Sequence, residues 1–498
     1  MMKLSSPSAR SVGSLATLAF LLAIAPARAE FLPDDVHWYY TYGGPSPEPF
    51  VFETVNNRIY MGGLFLNTAN DSNRKNLARF NLDTEAWESV PGITSAFNGG
   101  VWDIHFADDG FIYIGGNFSR VADIEAQDIA RFDPRTETWA ALTDPNPSLV
   151  TPDQGNGPTN GRVFAIQKIG DLLYVGGEFT GPRDSPDDEK YIRSFNLVTN
   201  KWAKLPSGLD NQVRALTKAP NGDLVAGGQF TGSVARFDGS SWSLVGGGVR
   251  GAARDGMVRK LEYSRDGTLY LCGDFDEIGA EGSGVAARDI AGYKDGAWNA
   301  MAGGFDDTYV QSNGTTFMSD GVYDIAVDSE GSVYAGGDFD ASNGRSVLNL
   351  RHVAKWQDGA WKSLGSGVGT TGSQIVNCIA LGREGDLFVG GTFNEGHKNA
   401  GSAKYQFARW HPNRDFTDYV PGASDNATGQ FVPVAEDRLD YQVIGRPGTS
   451  YQLEASPDLI NWAALDGAVF EGSGVRQGFS FTPPSDTAGR YYRYRATD

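Results

Sequence analysis

The stretch Phe111-Ile112-Tyr113-Ile114-Gly115-Gly116-Asn117-Phe118 contains the motif that decides the fold: an apolar run, a glycine doublet, one variable residue and a phenylalanine. The motif occurs seven times, and the first positions of successive copies are 53, 61, 51, 45, 64 and 54 residues apart. Repetition at this period is typical of blade arrays. The copies are Gly62-Gly63-Leu64-Phe65, Gly115-Gly116-Asn117-Phe118, Gly176-Gly177-Glu178-Phe179, Gly227-Gly228-Gln229-Phe230, Cys272-Gly273-Asp274-Phe275, Gly336-Gly337-Asp338-Phe339 and Gly390-Gly391-Thr392-Phe393.

Each repeat is interpreted as four strands. In the second repeat, the apolar run 101–104 precedes the doublet strand, and the third strand follows at 129–132. The fourth strand begins at Trp139. Two β-rich runs joined by a tight polar turn predict a hairpin. We therefore predict an all-β, seven-bladed propeller built from four-stranded meanders. The glycine pair is expected to let an aromatic ring approach the backbone, and the repeated aromatic residues are expected to form the core.

The N-terminal segment of the mature chain is predicted to supply the outer strand of the last blade. Residues 38–44, WYYTYGG, match residues 298–304, WNAMAGG, at their tryptophan and at both glycines. The segment after Trp410 contains no matching fourth-strand tryptophan. Pairing of the N-terminal segment with the last blade would close the ring without a covalent bond and remove an open sheet edge.

The repeat resembles the kelch-type repeat of galactose-oxidase-like propellers. The resemblance rests on the strand that ends in Gly-Gly and on the Arg131-Phe132-Asp133-Pro134 run with Trp139 after it. The Gly-Gly-x-Phe variant is similar to the propeller of fungal cortical polarity-marker proteins and related exported bacterial repeats. The resemblance covers about residues 36 to 420 and implies the architecture. It does not imply one activity, since kelch-like propellers include oxidases, binders and scaffolds.

Four regions are predicted along the chain. Residues 1–29 are typical of a secretory signal peptide, with basic residues, an apolar stretch and a small-x-small cleavage site. Residues 30–420 form the propeller, and the small and polar residues 421–430 form a linker. Residues 431–498 are predicted to form a small β-sandwich, and their sequence resembles the fibronectin-like modules that end many exported bacterial proteins.

The charge of this predicted secreted or periplasmic protein limits the classes of partner that it can bind, and its cysteine content indicates whether it contains a disulfide. The formal charge is −19, and removal of the three basic residues of the signal segment makes it −22. Such an acidic protein repels nucleic acid and anionic lipid, whereas a cation or a neutral glycan is easier to accommodate. No other segment is apolar for long enough to span a membrane. Cys272 and Cys378 lie in non-neighbouring repeats, so two free, packed thiols are expected. The sequence leaves the oligomeric state open.

Copper radical oxidases are the best-known enzymes with this type of repeat, and their chemistry is disfavoured here. The metal of those enzymes needs two histidines, two tyrosines and a cysteine bonded to one tyrosine. No two histidines of this chain have ligand spacing, and sialidase, Walker and zincin motifs are absent from the sequence. A carbohydrate-active hydrolase or lyase that uses paired carboxylates remains an open alternative. The five histidines are His37, His105, His352, His397 and His411.

Loop lengths predict that one face of the propeller carries the function. The second-to-third-strand loops and the blade-to-blade loops are long, and both emerge on the same face of a meander, here called the long-loop face. Binding residues collect on loops held by a rigid frame. The acidic residues of this face are Asp184, Asp187, Asp188, Glu189, Asp274, Asp276, Glu277, Asp306, Asp307, Asp338 and Asp340.

A calcium site is the one cofactor site that the sequence suggests. Asp338, Asp340 and Ser342 place oxygen atoms at alternate positions, as at the start of a calcium loop. Asp274 and Asp276 have the same register one repeat earlier. The alternative is that these are solvated turn carboxylates. No catalytic residue is assigned, and the predicted function is binding of an extracellular glycan or cell-surface protein at the long-loop face.

Overall fold

The structure is a computed structural model of the chain. Outside the described residues lie the predicted signal peptide, Asp307, residues 421–427 of the predicted linker, and the acidic run 184–189. The described ranges are 38–40, 46–67, 72–94, 97, 99–143, 161–179, 190–251, 256–306, 308–310, 316–318, 321–348, 350–369, 374–382, 385–394, 404–412, 428–435, 438–444, 450–456, 463–471, 476–481 and 491–496.

Almost every regular element of the described chain is a β-strand, which confirms the all-β prediction. The first strands in chain order are β1 (Trp38–Tyr40), β2 (Ser46–Val55), β3 (Arg58–Asn67), β4 (Leu77–Asn81), β5 (Ala86–Ser89), β6 (Val101–Phe106), β7 (Ile112–Gly116), β8 (Arg120–Val121), β9 (Ile124–Glu125), β10 (Ile129–Asp133), β11 (Thr138–Ala141), β12 (Gly161–Ile169), β13 (Leu172–Phe179), β14 (Ile192–Asn196), β15 (Lys201–Ala203), β16 (Val213–Lys218), β17 (Leu224–Gly228), β18 (Val234–Phe237) and β19 (Trp242–Leu244).

Three short 3₁₀ turns, Ser72–Arg74, Met301–Gly303 and Asn343–Arg345, are the helical elements of the described residues. The remaining strands are β20 (Val249–Arg250), β21 (Met257–Tyr263), β22 (Leu269–Asp274), β23 (Glu277–Ile278), β24 (Val285–Ala286), β25 (Ile290–Lys294), β26 (Ala297–Asn299), β27 (Phe305–Asp306), β28 (Thr308–Val310), β29 (Thr316–Met318), β30 (Gly321–Val327), β31 (Val333–Asp338), β32 (Ala341–Ser342), β33 (Val353–Gln357), β34 (Ala360–Ser363), β35 (Ile375–Leu381), β36 (Leu387–Asn394), β37 (Lys404–Trp410), β38 (Thr428–Ala435), β39 (Arg438–Ile444), β40 (Ser450–Ser456), β41 (Ala463–Glu471), β42 (Arg476–Phe481) and β43 (Tyr491–Ala496).

Within the described residues, seven antiparallel sheets have four strands each. Six of them take all four strands from consecutive parts of the chain, whereas the last combines β35, β36 and β37 with β1 from the N-terminal region. The strand orders are β2-β3-β4-β5, β6-β7-β10-β11, β12-β13-β14-β15, β16-β17-β18-β19, β21-β22-β25-β26, β30-β31-β33-β34 and β35-β36-β37-β1.

The first strands of these sheets, β2, β6, β12, β16, β21, β30 and β35, contact one another in sequence order, and β35 also contacts β2. Side-chain hydrogen bonds join the last sheet to the first. Thr54 Oγ1 donates to the Leu381 carbonyl over 2.9 Å, and Asn377 Nδ2 donates to the Pro49 carbonyl over 3.2 Å. These strands are called the first strands below.

In the backbone register of each of these sheets, an aromatic residue on the third strand is the cross-strand partner of a tryptophan on the fourth. Phe132 is the cross-strand partner of Trp139, and their rings are 4.8 Å apart. The tryptophan also ties its sheet to the chain segment that precedes it, because Trp139 Nε1 donates to the Pro91 carbonyl over 2.7 Å. The seven pairs are Phe80–Trp87, Phe132–Trp139, Phe195–Trp202, Phe237–Trp242, Tyr293–Trp298, Trp356–Trp361 and Trp410–Trp38.

The first glycine of the doublet makes room for the next sheet, but not for an aromatic ring as predicted. A Cβ atom at Gly115 would lie 2.5 Å from Val163 Cγ1 on the first strand of the next sheet. The same valine contact occurs at four other copies, and only Gly390 meets an aromatic ring, that of Phe52. The prediction was wrong at this glycine because the residue that meets it is a valine of the next sheet in five copies, whereas at the second glycine an aromatic ring does approach, since a Cβ atom at Gly116 would lie 3.0 Å from Phe118 Cδ1. Packing is close enough that a single added methyl group would force a shift.

The C-terminal region forms two three-stranded sheets, β38-β39-β42 and β41-β40-β43. Tyr451 and Phe470 stack at 5.0 Å between ring centroids and are both buried. Strand β38 begins at Thr428, three residues before the predicted start of the C-terminal domain at 431. Its first three residues belong to the predicted linker.

Candidate functional site

Each first strand of the seven sheets carries a β-bulge at the same place, next to the glycine doublet of its neighbour. A bulge adds one residue to a strand and re-aims its side chain. All seven bulged residues line one cavity of about 380 Å³, here called the central cavity. They form the bulge ring: Phe50, Trp102, Phe164, Arg214, Arg259, Tyr323 and Asn377.

The bulge requires the second residue of the doublet to be glycine. A Cβ atom at Gly116 would lie 2.1 Å from the carbonyl oxygen of Gly100, just before the bulge at Trp102. At Gly273 the corresponding distance to the Met257 carbonyl is 1.9 Å. No side chain fits at such distances, so the motif that defines the repeat also builds the bulge ring.

The bulge ring lies at the long-loop end of the first strands. Trp102 is the second residue of β6, and its neighbour Val101 pairs with Gly116, the last residue of β7. The loop that leaves β7 at this point is one of the loops that define the long-loop face. The central cavity therefore reaches the face on which the sequence predicted binding.

Three bulged residues form a continuous aromatic arc, Phe50–Trp102–Phe164. The rings of Phe50 and Trp102 are stacked, with centroids 5.4 Å apart and an interplanar angle of 24°. Trp102 meets Phe164 edge-on at 6.4 Å. Because Phe50 and Trp102 are only partly buried and line the cavity, the arc offers aromatic surface to a ligand.

Two arginines continue the ring beside the arc. The Arg214 guanidinium carbon lies 4.0 Å from the ring centroid of Phe164, and the Arg259 carbon lies 4.3 Å from that of Tyr323. Burial and the nearby Arg259 charge lower the pKa of Arg214 to about 10. Arginine carries a positive charge in proteins, so the two side chains bring positive charge to this part of the cavity.

Deeper along the first strands, the cavity is lined by Lys260 and four carboxylates, here called the carboxylate cluster: Glu53, Asp103, Glu262 and Asp324. Lys260 Nζ lies 3.7 Å from Asp324 Oδ1. The Lys260 side chain is 37% exposed, but this surface faces the cavity rather than the outside of the protein. The attraction of Asp324 raises the pKa of Lys260, which therefore stays charged.

Each carboxylate of the cluster joins its own sheet to the next one. Asp103 Oδ2 accepts the Ile166 N–H over 2.6 Å, and Asp324 Oδ2 accepts the Ile379 N–H over 2.8 Å. The two glutamates accept backbone N–H groups in the same way, Glu53 from Phe106 over 3.3 Å and Glu262 from Val327 over 3.1 Å. The cluster thus has a structural role between sheets, whatever else it does.

Burial shifts the titration of the cluster into the neutral range. It raises the pKa of Glu53 to about 8, that of Glu262 to about 7 and that of Asp103 to about 6, and it also raises the pKa of Asp324. Burial lowers the pKa of His105, on the same cavity wall, to about 4. At neutral pH Glu53 is mostly protonated, so the cluster carries less negative charge than its composition indicates.

The predicted calcium residues lie at the ends of β22 and β31 and outside the central cavity. The Ser342 hydroxyl accepts the Val347 N–H over 2.9 Å and bonds to the Ser346 hydroxyl, so it stabilises its own turn. Asp338 Oδ1 is 4.0 Å from His352 Nδ1. Among the described residues, no three His, Cys, Asp or Glu side chains are grouped to hold a metal, and Asp274 and Asp276 are no exception. The calcium site stays a prediction.

The cysteine prediction is confirmed. Cys272 and Cys378 are both free and fully buried, and burial raises their thiol pKa values well above the ordinary range. Neither thiol is therefore a nucleophile. Along the described part of the chain, no helix combines the length and the apolar character that a membrane crossing requires.

Sequence reasoning missed the bulge ring and the carboxylate cluster. The bulged residue follows a conspicuous valine in six repeats, but its type changes from phenylalanine to arginine to asparagine, so no repeat signal marks it. The variability of this one position, within an otherwise constant apolar motif, could have indicated the bulged residue.

Comparison with known proteins supports the propeller. Residues 56–83 match the family described as "Domain of unknown function (DUF5122) beta-propeller". No curated protein matches the chain. The protein contains a β-propeller, and the short matched segment does not extend to a family assignment for the whole chain.

Several solved structures are similar at low identity. YCF48 bound to D1 peptide is 12% identical, with a TM-score of 0.42, and the match covers 75% of this chain and 95% of that one. U3-55K is 10% identical, with a TM-score of 0.46 over 75% and 98% of the two chains. The WD40 beta propeller domain of Doa1 is 11% identical, with a TM-score of 0.43 over 75% and 96%.

Proposed function

We propose that the protein is a secreted or periplasmic binding protein whose seven four-stranded sheets are the blades of one propeller. In this proposal β1 closes the ring by completing the last blade, and the two C-terminal sheets form a β-sandwich spacer or attachment module. The contact of β35 with β2 and the hydrogen bonds between the last and first sheets support closure. A propeller is a rigid frame for interactions, and here no catalytic motif accompanies it.

The observation that carries the proposal is the bulge ring. Seven sheets each direct one residue into the same cavity at the long-loop end, and the residues differ from blade to blade. A packing role would favour similar residues at equivalent positions, whereas a binding site for an asymmetric ligand needs different ones. The cavity volume of about 380 Å³ also lies in the range of ligand pockets, about 300–1,000 Å³. The expected ligand is a glycan or a cell-surface protein.

The experiment is a screen of the secreted protein on a glycan array and against surface proteins, followed by affinity measurements with variants. Trp102→Ala should weaken binding of the ligand about tenfold or more, since it removes the centre of the aromatic arc. Asp133→Asn and Asp358→Asn, in the short turns of the opposite end, serve as matched controls and should leave affinity unchanged. Equal losses from both ends would contradict the assignment of binding to the long-loop face.

A carbohydrate-active hydrolase is a second candidate, favoured by one observation. The raised pKa values of Glu53 and Glu262, about 8 and 7, leave protons on these groups that a general acid could deliver at neutral pH. The hydrogen bonds of the same groups to the next sheet support the structural role instead. Release of reducing ends from an array ligand by the wild type, abolished in Glu262→Gln, would establish the hydrolase. Binding without turnover would contradict it.

A further inference from the structure

Two arginines on neighbouring blades place positive charge at the entrance of the central cavity, and the charge of Glu178 attracts Arg214 without pairing with it. Arg214 and Arg259 occupy the bulge of β16 and of β21, and these strands contact each other. The Nε atom of each is buried without a hydrogen-bond partner. Within the described residues neither guanidinium is within ion-pair distance of a carboxylate. A buried donor without a partner costs free energy that a bound acceptor would recover.

The two charges also repel each other. Burial and the charge of Arg259 hold the pKa of Arg214 near 10, well below its ordinary value of 12.5. A carboxylate placed between the two guanidinium groups would offset this repulsion, because arginine presents paired N–H donors that match the two oxygens of a carboxylate. Stacking on Phe164 and Tyr323 holds the two groups without using those donors.

The aromatic arc lies directly beside the arginines in the bulge ring. Phe164 stacks on Arg214 and belongs to the arc with Trp102 and Phe50, so charge and aromatic surface are continuous. The C–H face of a sugar ring packs on aromatic rings, and its carboxylate would reach the arginines. An acidic peptide would supply the carboxylate but no flat apolar ring for the arc.

We propose that the bulge ring binds a carboxylate-bearing sugar of an acidic glycan, with the sugar ring on the aromatic arc and the carboxylate on Arg214 and Arg259. This inference rests on the proposed function and names its ligand class. It departs from the sequence-based expectation of a neutral glycan, which followed from the net charge of −19. Net charge describes the whole surface, whereas the entrance of the cavity carries two cations.

The probes are a galacturonate oligosaccharide and its methyl ester, which share the sugar and differ in charge. Calorimetric titration should give at least about tenfold tighter binding of the acid, and Arg214→Gln and Arg259→Gln should each remove that difference. Arg236→Gln is the control, because Arg236 pairs with Asp223 over 3.3 Å outside the cavity. Melting temperatures of all variants near that of the wild type would establish that they fold.

The outcomes separate this inference from the proposed function. Equal binding of acid and ester, lost in Trp102→Ala but not in the arginine variants, would overturn the carboxylate assignment and leave the binding face intact. Tighter binding of polyglutamate than of the acidic oligosaccharide would contradict the proposal that the ligand is a sugar. A glycan or protein could bind the wild type, Trp102→Ala and both arginine variants with equal affinity. That result would overturn the proposed binding site itself.

Discussion

Trp38 lies opposite Trp410 in the antiparallel pairing of β1 with β37. This is the register that places Trp139 opposite Phe132 within a single stretch of chain. The N-terminal strand therefore stands where a fourth strand stands in the other six sheets. The equivalence comes from hydrogen-bond register and does not depend on the sequence match from which it was predicted.

The first prediction concerns this strand. Removal of residues 1–44 should leave β37 with an open edge, so the shortened protein should aggregate and lose its cooperative transition. Trp38→Ala should lower the free energy of unfolding by about 3–5 kcal/mol, the usual cost of a large-to-small change in a core, if Trp38 replaces a fourth-strand tryptophan. Urea unfolding and light scattering measure both effects. A shortened protein that is monomeric and melts cooperatively would show that another segment completes the last sheet.

The second prediction concerns an ion pair between the last and first sheets. Arg409 contacts Asp386 over 2.6 Å and Glu85 over 2.8 Å, and its side chain is only 7% exposed. Arg409→Met should cost about 3–5 kcal/mol in urea unfolding, because it leaves the carboxylate of Asp386 buried and unpaired.

Arg236→Met is the matched control for that change. Arg236 also sits on a third strand and pairs with Asp223, but its side chain is 49% exposed. An exposed pair contributes about 1 kcal/mol or less, so the loss should be small. Similar losses in the two variants would contradict the special role given to the pair at the junction of the sheets.

The fold was predictable because the repeat motif is under one steric constraint in every copy. Gly115 must admit a valine of the next sheet and Gly116 must admit the carbonyl of Gly100, so both positions stay small and the period is visible. The start of β38 inside the predicted linker was not predictable, since Thr428–Ala435 follows a polar stretch and carries no repeat signal.

The site was not predictable in the same way. Residues that face a common cavity need not resemble each other, and Trp102 and Arg214 hold equivalent positions with opposite chemistry. The raised pKa of Glu53 depends on burial among residues from other sheets, which no local pattern in the sequence reports. Loop length predicted binding at the end of the strands where the bulge ring lies, and that functional assignment stays a prediction.

The third prediction tests the calcium hypothesis. Asp340 Oδ1 is buried without a hydrogen-bond partner, and Asp338 lies two residues before it. If these carboxylates bind calcium in the folded state only, millimolar calcium should raise the melting temperature by linkage. Asp338→Asn combined with Asp340→Asn should abolish the rise, while Asp358→Asn in a short turn should retain it. An unchanged melting temperature of the wild type would contradict the hypothesis.

The last prediction follows from the carboxylate cluster. Burial raises the pKa of Glu53 from 4.5 to about 8, so between these values the folded state binds more protons than the unfolded state. The stability from Glu53 is therefore fully present below pH 4.5 and is lost as the pH rises toward 8. The pKa of His105 is lowered from 6.5 to about 4, so its contribution to stability increases as the pH rises, but only below about pH 6.5.

In the window from pH 6.5 to 8 Lys260 stays charged and His105 no longer titrates, so the change in stability comes from the carboxylate cluster, above all from Glu53 and Glu262. The free energy of unfolding of the wild type should fall across this window. Glu53→Gln retains an oxygen for the Phe106 N–H and should flatten the slope, gaining about 1–3 kcal/mol over the wild type at pH 8. Glu281→Gln, at an exposed position, should follow the wild type. A slope that is the same in wild type and Glu53→Gln would mean that Glu53 is already ionised in the folded protein, and the charge assigned to the cavity would have to be revised.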